Sequence, residues 1–563
     1  MKATILFCLM SLYAVAGCHQ GGQEWWRTMS LYQIYPRSFK DSDGDGVGDL
    51  KGIISKLDHL VESHVDAFWV SPIYPSPMVD FGYDISDYRN IDPIFGTMKD
   101  FEDLLDAAHS KSLKMIMDFV PNHTSDKHEW FQKSLQNIKP YSDFYVWHEG
   151  RKLENGTMAP PNNWVSMFGG SAWRWRPERQ SYYLHQFAPE QPDLNYNNED
   201  LMNEIQDVLR FWLNKGVDGF RVDAIPFLCE DSRFLDEPLS GTTDNPNKNG
   251  YTIKKYTQNQ PRTYEIVKGW SKVLKEYKGD RAMMMEVYAD IPNTMKYFPS
   301  GASFPFNFLM ITDLNINSTV ADYKDLIDRW MKNMPRGSTA NWVAGNHDQS
   351  RLATRFGPER ARVVTLMTLL LPGVSVTYNG DEIGMVDTWI SWKDTKDPQG
   401  CNAGEDEYET MSRDPARSPF QWDNTTSAGF STNSTTWLPV NENYQTVNLE
   451  TEKATMDSYY HFYNSIAWLR KAPFVRKGNL ITNLLTKNVL LISRETPEDG
   501  SVYAIVNLGN SQEIVDLSVL DNVSCRLNVY YATINFDLTL GSAFCRIRNV
   551  NVPPHGILVF LKY

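Results

Sequence analysis

The stretch GVDGFRVDAIPF (216–227) decides the fold. It is a short apolar run that breaks into polar residues at its C-terminal end and carries Asp223 at that break. Two later runs repeat the pattern: AMMMEVY (282–288) with Glu286, and NWVAGNHDQSR (341–351) with Asp348. In a parallel α/β barrel the loops after the strands form the active face, so acids at strand ends are where its chemistry sits. Working outward, further strand-like runs fall at 31–39, 65–72, 114–123, 304–308 and 373–384. Helical patterns such as FEDLLDAAHSKSL, EIQDVLRFWLNKG and ERARVVTLMTLLL lie between them. Eight strands alternating with helices predict an α/β chain folded as a (β/α)8 TIM barrel. The third and fourth runs are separated by a long segment rich in Trp, Pro, Gly and Asn, which predicts an inserted subdomain over 124–192. Beyond about residue 480 the helices stop and short alternating runs appear (NVLLISRE, SVYAIVNLG, GILVFLKY), predicting a C-terminal antiparallel β domain, a sandwich, over 480–563. The barrel itself is expected over 23–123 and 193–479.

Length and composition agree. A chain of 563 residues exceeds one compact core and suits a large barrel with smaller domains. The net charge of −14, with no basic stripe to offset it, argues against nucleic-acid binding. The 17 Trp, 28 Tyr and 27 Phe supply bulky cores, and also the flat faces on which sugars stack. Residues 1–17, with Lys2 before an apolar stretch from Ile5 to Val15, read as an export signal and are too short for a membrane anchor. Val15-Ala16-Gly17-Cys18 also fits a lipoprotein cleavage site. Against that stand sequons at Asn155, Asn317, Asn424, Asn433 and Asn522, which suit a secreted glycoprotein. Asn122 also satisfies the pattern but lies in DFVPNHT, where burial is expected. With Cys8 in the leader and Cys18 at its border, four cysteines remain: Cys229, Cys401, Cys525 and Cys545. Cys525 and Cys545 could clip the C-terminal sheet, leaving Cys229–Cys401 either as a second bridge or as two free thiols.

GFRVDAIPF, MMMEVY and GNHDQSR, with DFVPNH (118–123) and GYD (82–84), resemble the conserved regions of glycoside hydrolase family 13, the α-amylase family. QPDLN (191–195) is similar to the marker of its oligo-1,6-glucosidase branch, and YPRSFKDSDGDGVGDL and SRDPARSPFQWD are similar to insect maltases. The resemblance spans the mature chain. It implies a retaining, exo-acting α-glucosidase with Asp223 as nucleophile, Glu286 as acid/base and Asp348 as the third carboxylate, which grips sugar hydroxyls. Arg221, two residues before Asp223 on the same strand face, is suited to keep that carboxylate ionised. The resemblance also places His123 and His347 on the terminal glucose, with Tyr83 stacking on it. It implies that Asp84 and Arg417 clasp the terminal hydroxyls, with Arg413 as an alternative to Arg417. Phe168 and Phe187 are either walls on the leaving-group side or core of the inserted subdomain. Ala224 stands where isomaltose-preferring relatives carry valine, so maltose, sucrose and short maltooligosaccharides are the expected substrates.

A second constellation, Asp41-Ser-Asp43-Gly-Asp45-Gly-Val47-Gly-Asp49, alternates carboxylates with glycines, the way a loop wraps oxygen ligands around a hard cation. Position 52 is Gly where an EF-hand would carry Glu. The loop resembles the single Ca²⁺ site of this family branch, with Val47 giving its carbonyl, and the metal is expected to be structural; no organic cofactor is implied. Open alternatives are transglucosylation, isomaltose preference, and a catalytically silent receptor with an amylase-like fold. No membrane anchor beyond the leader is evident, and oligomeric state is not readable from the sequence.

Overall fold

The computed structural model describes residues 24–519 and 527–563, except 534, 537 and 546. The leader, Cys18, Asn522 and Cys525 lie outside the described residues. Eight parallel strands form one sheet: β1 (Ser30–Ile34), β2 (Ala67–Val70), β3 (Lys114–Phe119), β4 (Gly219–Val222), β5 (Ala282–Met285), β6 (Phe304–Pro305), β7 (Asn341–Val343) and β8 (Val374–Tyr378). They pair in the order β6-β5-β4-β3-β2-β1-β8-β7, the sequence of a barrel cut between β6 and β7. At that seam the Asn341 side chain substitutes for a strand pair. Its Oδ1 accepts from Asn307 N at 2.7 Å and its Nδ2 donates to Pro305 O at 2.7 Å, both groups being buried. A side-chain amide offers the same donor and acceptor as a peptide, so the ring closes without backbone contact.

Helices cover the outside and begin where the sequence supplies caps. Thr97 and Asp100 form a reciprocal capping box on Met98–Ser110, Thr319 and Asp322 do the same on Val320–Asn333, and Asn198 caps Glu199–Lys215. These helices turn Leu, Ile, Val and Trp inward, as at Leu201, Ile205, Val208 and Trp212.

The excursion after β3 leaves and returns at one point, where His123 and Asp193 pair as an antiparallel bridge. It contains a three-stranded antiparallel sheet (Trp147–His148, Ser181–Leu184, Trp173–Arg176) over a core of Val146, Trp164, Trp173, Tyr182 and Leu184. Phe234 and Tyr256, from the long loop after β4, pack against the same core. Asn162, Asn163 and Trp164 donate to carbonyls of that loop, at Phe234, Glu237 and Leu235. The inserted segment therefore shares its core with a second excursion that periodicity did not single out.

At the C-terminus six antiparallel strands form a sheet in the order 479–484, 489–496, 500–507, 557–562, 527–532, 543–544. Strand alternation splits its side chains. Leu490, Ile492, Val502 and Val559 share a core with the barrel helices, while Leu491, Tyr503, Ile505 and Phe560 face a second layer containing the 513–515/550–552 pair.

The Cys229–Cys401 bridge does not form. Cys229 turns into the core after β4, where burial pushes its thiol up to about 12. Cys401 sits exposed on the helix Pro398–Ala403, with its Sγ 3.8 Å from Thr395 O. Cys545 is exposed, and its suggested partner lies outside the described residues.

Candidate active site

The barrel delivers its acids to one end. Asp223 and Glu286 follow β4 and β5 directly, and Asp348 lies on the loop after β7. Arg221 in β4 points inward and is almost wholly buried. Its Nη1 meets Asp118 Oδ1 at 2.9 Å and Asp223 Oδ1 at 2.6 Å, and its Nη2 meets Glu286 Oε1 at 2.7 Å. One guanidinium fork thus fixes three carboxyl groups from three strands. Glu286 is held a second time by the Ala224 N–H, which donates to Oε2 at 2.9 Å. Ala224 adopts left-handed backbone (φ 49°) to present that N–H, a conformation a β-branched residue resists.

One cation among three carboxyls cannot keep all of them ionised. Burial, and then the Glu286 charge, pushes Asp223 well above the ordinary range. Burial raises Asp118 to about 6 against the pull of Arg221. Asp348 differs. Burial opposes its charge, but Arg413 Nη1 (3.2 Å) and Arg417 Nη2 (2.9 Å) converge on its Oδ1 and hold it well below the usual carboxylate range.

His347 is sandwiched between the rings of Tyr83 (5.3 Å, 6°) and Tyr35 (5.5 Å, 24°). Burial keeps it neutral, and Gln33 Nε2 lies 2.8 Å from its Nδ1, which places the imidazole proton on Nε2. His347 lines the cavity, and that nitrogen is buried 3.4 Å from Asp348 Oδ2 with no hydrogen-bond partner among the described residues. His123 is neutral too, lowered by burial to about 3, but both its nitrogens are engaged, by Asn122 Nδ2 and by Tyr83 O with Gln191 Nε2. Tyr83 gives its hydroxyl to Asp118 Oδ2 at 3.1 Å.

Asp223, Glu286, Asp348, Tyr83, His123 and His347 line a cavity of about 690 Å³, together with Phe168, Phe187 and Phe227. Phe168 and Phe187 meet edge to face at 5.8 Å and are half-buried walls rather than interior packing.

The clasp differs from expectation. Asp84 is fully buried and does not line the cavity. Its oxygens accept from Ser76 Oγ, Val79 N and Asp80 N at 2.9–3.0 Å, fixing the turn that presents Asp80. Asp80 lines the cavity and pairs with Arg413 Nη2 at 2.7 Å. Asp397 holds Arg413 from behind, at 2.5 and 3.0 Å. Arg417 has no exposed surface and donates to His347 O and Asp348. The bridge across the cavity wall is Asp80–Arg413, joining the loops after β2 and β8, and Arg417 supports it from beneath. The missed signal is Asp80 itself, a second carboxylate four residues before Asp84 in SPMVDFGYD.

In the 41–49 loop, Asp41, Asp43 and Asp49 bring carboxylate oxygens within 4.8 Å of one another, while Asp45 falls outside that group. Backbone N–H groups of Asp43, Gly44 and Gly46 converge on Asp41. Asp45 accepts from Val47 N, and its carboxyl is raised by burial and by repulsion from Asp43, Asp41 and Asp49. An all-oxygen donor set under mutual repulsion fits a hard cation. Of the sequons, Asn155, Asn317 and Asn424 are exposed. Asn433 is half-buried, its amide donating to Gly44 O at 3.1 Å, and suits a glycan least.

The model of the α-amylase catalytic domain matches residues 33–478. This chain belongs to the α-amylase family of glycoside hydrolases. It is 57% identical to an α-glucosidase of Apis mellifera, across 96% of this chain and 95% of that one. It is 46% identical to maltase 1 of Drosophila virilis, across 96% and 87%. Among solved structures it superposes on the α-glucosyl transfer enzyme XgtA with a TM-score of 0.85 and 33% identity, across 96% of this chain and all of that one. Among the described residues no helix is long and apolar enough to cross a membrane.

Proposed function

We propose that the chain is a secreted, retaining, exo-acting α-glucosidase that removes terminal, non-reducing, α-1,4-linked glucose from maltose, sucrose and short maltooligosaccharides. The observation that carries this reading is the pairing of Asp223 and Glu286 on one guanidinium within a cavity walled by the Asp80–Arg413 bridge. Two carboxyls on one fork are close enough for nucleophile and acid to share a bond, and a bridged wall admits a chain end rather than a chain middle. Glu286 gives its proton to the glycosidic oxygen as Asp223 attacks the anomeric carbon, so the leaving sugar departs neutral. Water then loses a proton to Glu286 and displaces Asp223, releasing glucose with its α configuration retained. Asp348, kept ionised by its two arginines, accepts glucose hydroxyls, and His347 Nε2–H donates to one. The small Ala224 leaves room for an α-1,4 or fructosyl leaving group.

The test is glucose release from maltose, sucrose and isomaltose by the purified protein beside Asp223→Ala, with the product anomer followed by NMR. Activity on maltose or sucrose, loss in the variant and initial α-glucose are expected. First-formed β-glucose would refute retention, and failure on every α-glucoside would leave the silent-receptor reading. Transglucosylation is the second reading, favoured by the aromatic wall of Phe168, Phe187 and Phe227, which offers an acceptor sugar a stacking face. Oligosaccharide products at high maltose would establish it.

The same reading includes a structural Ca²⁺ held by Asp41, Asp43 and Asp49, with Asp45 and the Val47 carbonyl as further candidates. The ion would neutralise the loop and contribute no step to catalysis. Chelation is expected to lower Tm by a few degrees, roughly the effect of losing about 1–2 kcal/mol in a protein of this size, while kcat/KM at low temperature is unchanged.

A further inference from the structure

Trp389 is 71% exposed, the most exposed tryptophan among the large hydrophobic residues that reach solvent. Such a side chain normally sits on a loose loop, but this one stands on a fixed backbone. Thr388 and Ile390 on either side are 4% and 3% exposed, and Thr388 N donates to Pro415 O at 3.0 Å. Asp387, one residue earlier, accepts from Arg351 N at 2.7 Å and from Ser350 Oγ, while its carbonyl accepts from Asn441 Nδ2 at 2.9 Å. The indole is also aimed. Its Nε1 donates to Glu409 Oε1 at 3.2 Å, and the Tyr408 hydroxyl reaches the same oxygen at 3.4 Å. Tyr408 in turn packs on Trp392, ring centroids 5.4 Å apart. Asp387, Glu409 and Met411 all line the catalytic cavity, so the anchored indole stands at its mouth with a face open to solvent.

We propose that Trp389, oriented by Glu409, is a distal sugar-binding platform that stacks on a glucosyl unit on the reducing side of the substrate, beyond the two units held inside the cavity. This rests on the α-glucosidase reading and deepens it. The platform makes the protein selective for maltooligosaccharides longer than maltose. The chemistry is that of sugar recognition in general: the apolar face of a pyranose covers an aromatic ring, while the Glu409 carboxylate beside it is positioned to accept a hydroxyl.

The test is calorimetric titration with maltose and maltotetraose of the Asp223→Ala protein, which binds without turnover, against Asp223→Ala/Trp389→Ala. Maltotetraose is expected to bind about fivefold more tightly than maltose, the scale of one aromatic contact, and loss of Trp389 is expected to remove that preference. Trp389→Phe, which keeps a ring face and loses the N–H, is expected to restore part of it. Equal affinity for the two sugars in the parent, or a preference that survives Trp389→Ala, overturns the proposal. Maltose is the internal reference in each titration, so a misfolded variant is distinguished by losing both sugars together. Glucose release by the unmutated protein tests the α-glucosidase reading separately, since the titration needs no turnover.

Discussion

The two sides of the cavity use the same residue types in different arrangements. Around Arg221 one guanidinium serves three carboxyls, Asp118, Asp223 and Glu286. Around Asp348 two guanidiniums, Arg413 and Arg417, converge on one carboxylate. The first arrangement is short of positive charge and must keep a proton, which an acid catalyst needs. The second sets two guanidiniums on one carboxylate oxygen, with Arg413 shared between Asp348, Asp80 and Asp397, and holds Asp348 as an anion, which the proposed hydroxyl-binding role needs. How many guanidiniums reach a given carboxyl, rather than residue identity, separates the pair proposed to move a proton from the carboxylate proposed to bind hydroxyls.

The largest expected effect breaks the charge-poor side. Asp223→Asn removes the proposed nucleophile and is expected to lower kcat on maltose by 10⁴-fold or more, on the order seen when a covalent nucleophile is lost. Asp348→Asn removes a binding charge and is expected to cost about 10²–10³-fold, the scale of one electrostatic contact to the transition state. The pH–rate profile sharpens the contrast. Its acid limb is expected to follow Asp223, whose carboxyl burial and the Glu286 charge push up, so Asp348→Asn should lower the profile without moving that limb. A displaced acid limb in Asp348→Asn would show that Asp348 titrates with Asp223 and that the two sides are not electrically distinct.

The next effect is smaller and concerns the bridge. Arg413→Ala leaves the buried Asp80 and Asp397 without their ion-pair partner, and is expected to lower kcat/KM on maltose by about 10²-fold, mostly through KM. Asp80→Ala should cost a comparable factor, and the double variant little more than either alone. Fully additive losses, measured in the same assay, would mean that the two residues do not act as one clasp.

The eight strands and three acids were legible because both rest on local pattern: short apolar runs ending in polar residues. Arg221 followed from strand alternation, since residues two apart share a face. The clasp was not legible. Asp80 and Asp84 lie in one turn, and sequence spacing cannot say which faces the cavity. Left-handed backbone at Met78, Phe81 and Gly82 (φ 63°, 44° and 108°) decides it, turning Asp80 out and Asp84 in. Arg413 and Arg417 pose the same problem four residues apart, and long-range contacts to Asp397 and His347 resolve it. The shared core between the inserted segment and the loop after β4 was hidden for a related reason, since Phe234 and Tyr256 are isolated aromatics in a polar stretch. The choice between a Cys229–Cys401 bridge and two free thiols stayed open in the sequence because separation along the chain carries no information on which way Cys229 points, and the fold leaves both thiols free.

The smallest expected effect tests the inward turn of Asp84 and is read in stability rather than rate. Burial raises its carboxyl to about 6, above the ordinary value near 3.8, although three hydrogen bonds pull the other way. A carboxyl whose folded pKa exceeds its unfolded pKa binds protons more tightly in the folded state. Its contribution to stability is therefore present below about pH 4 and is lost as pH rises to about 6, with a full span on the order of 3 kcal/mol. Asp84→Asn cannot ionise. It gives up one acceptor to the Val79 N–H, so it should be less stable than the parent at pH 4, and the gap should narrow by pH 7. Denaturant midpoints at the two pH values measure this directly. A gap that widens with pH would mean that the folded protein holds Asp84 as a stabilising anion, and that the turn presenting Asp80 depends on its charge rather than on its oxygens alone.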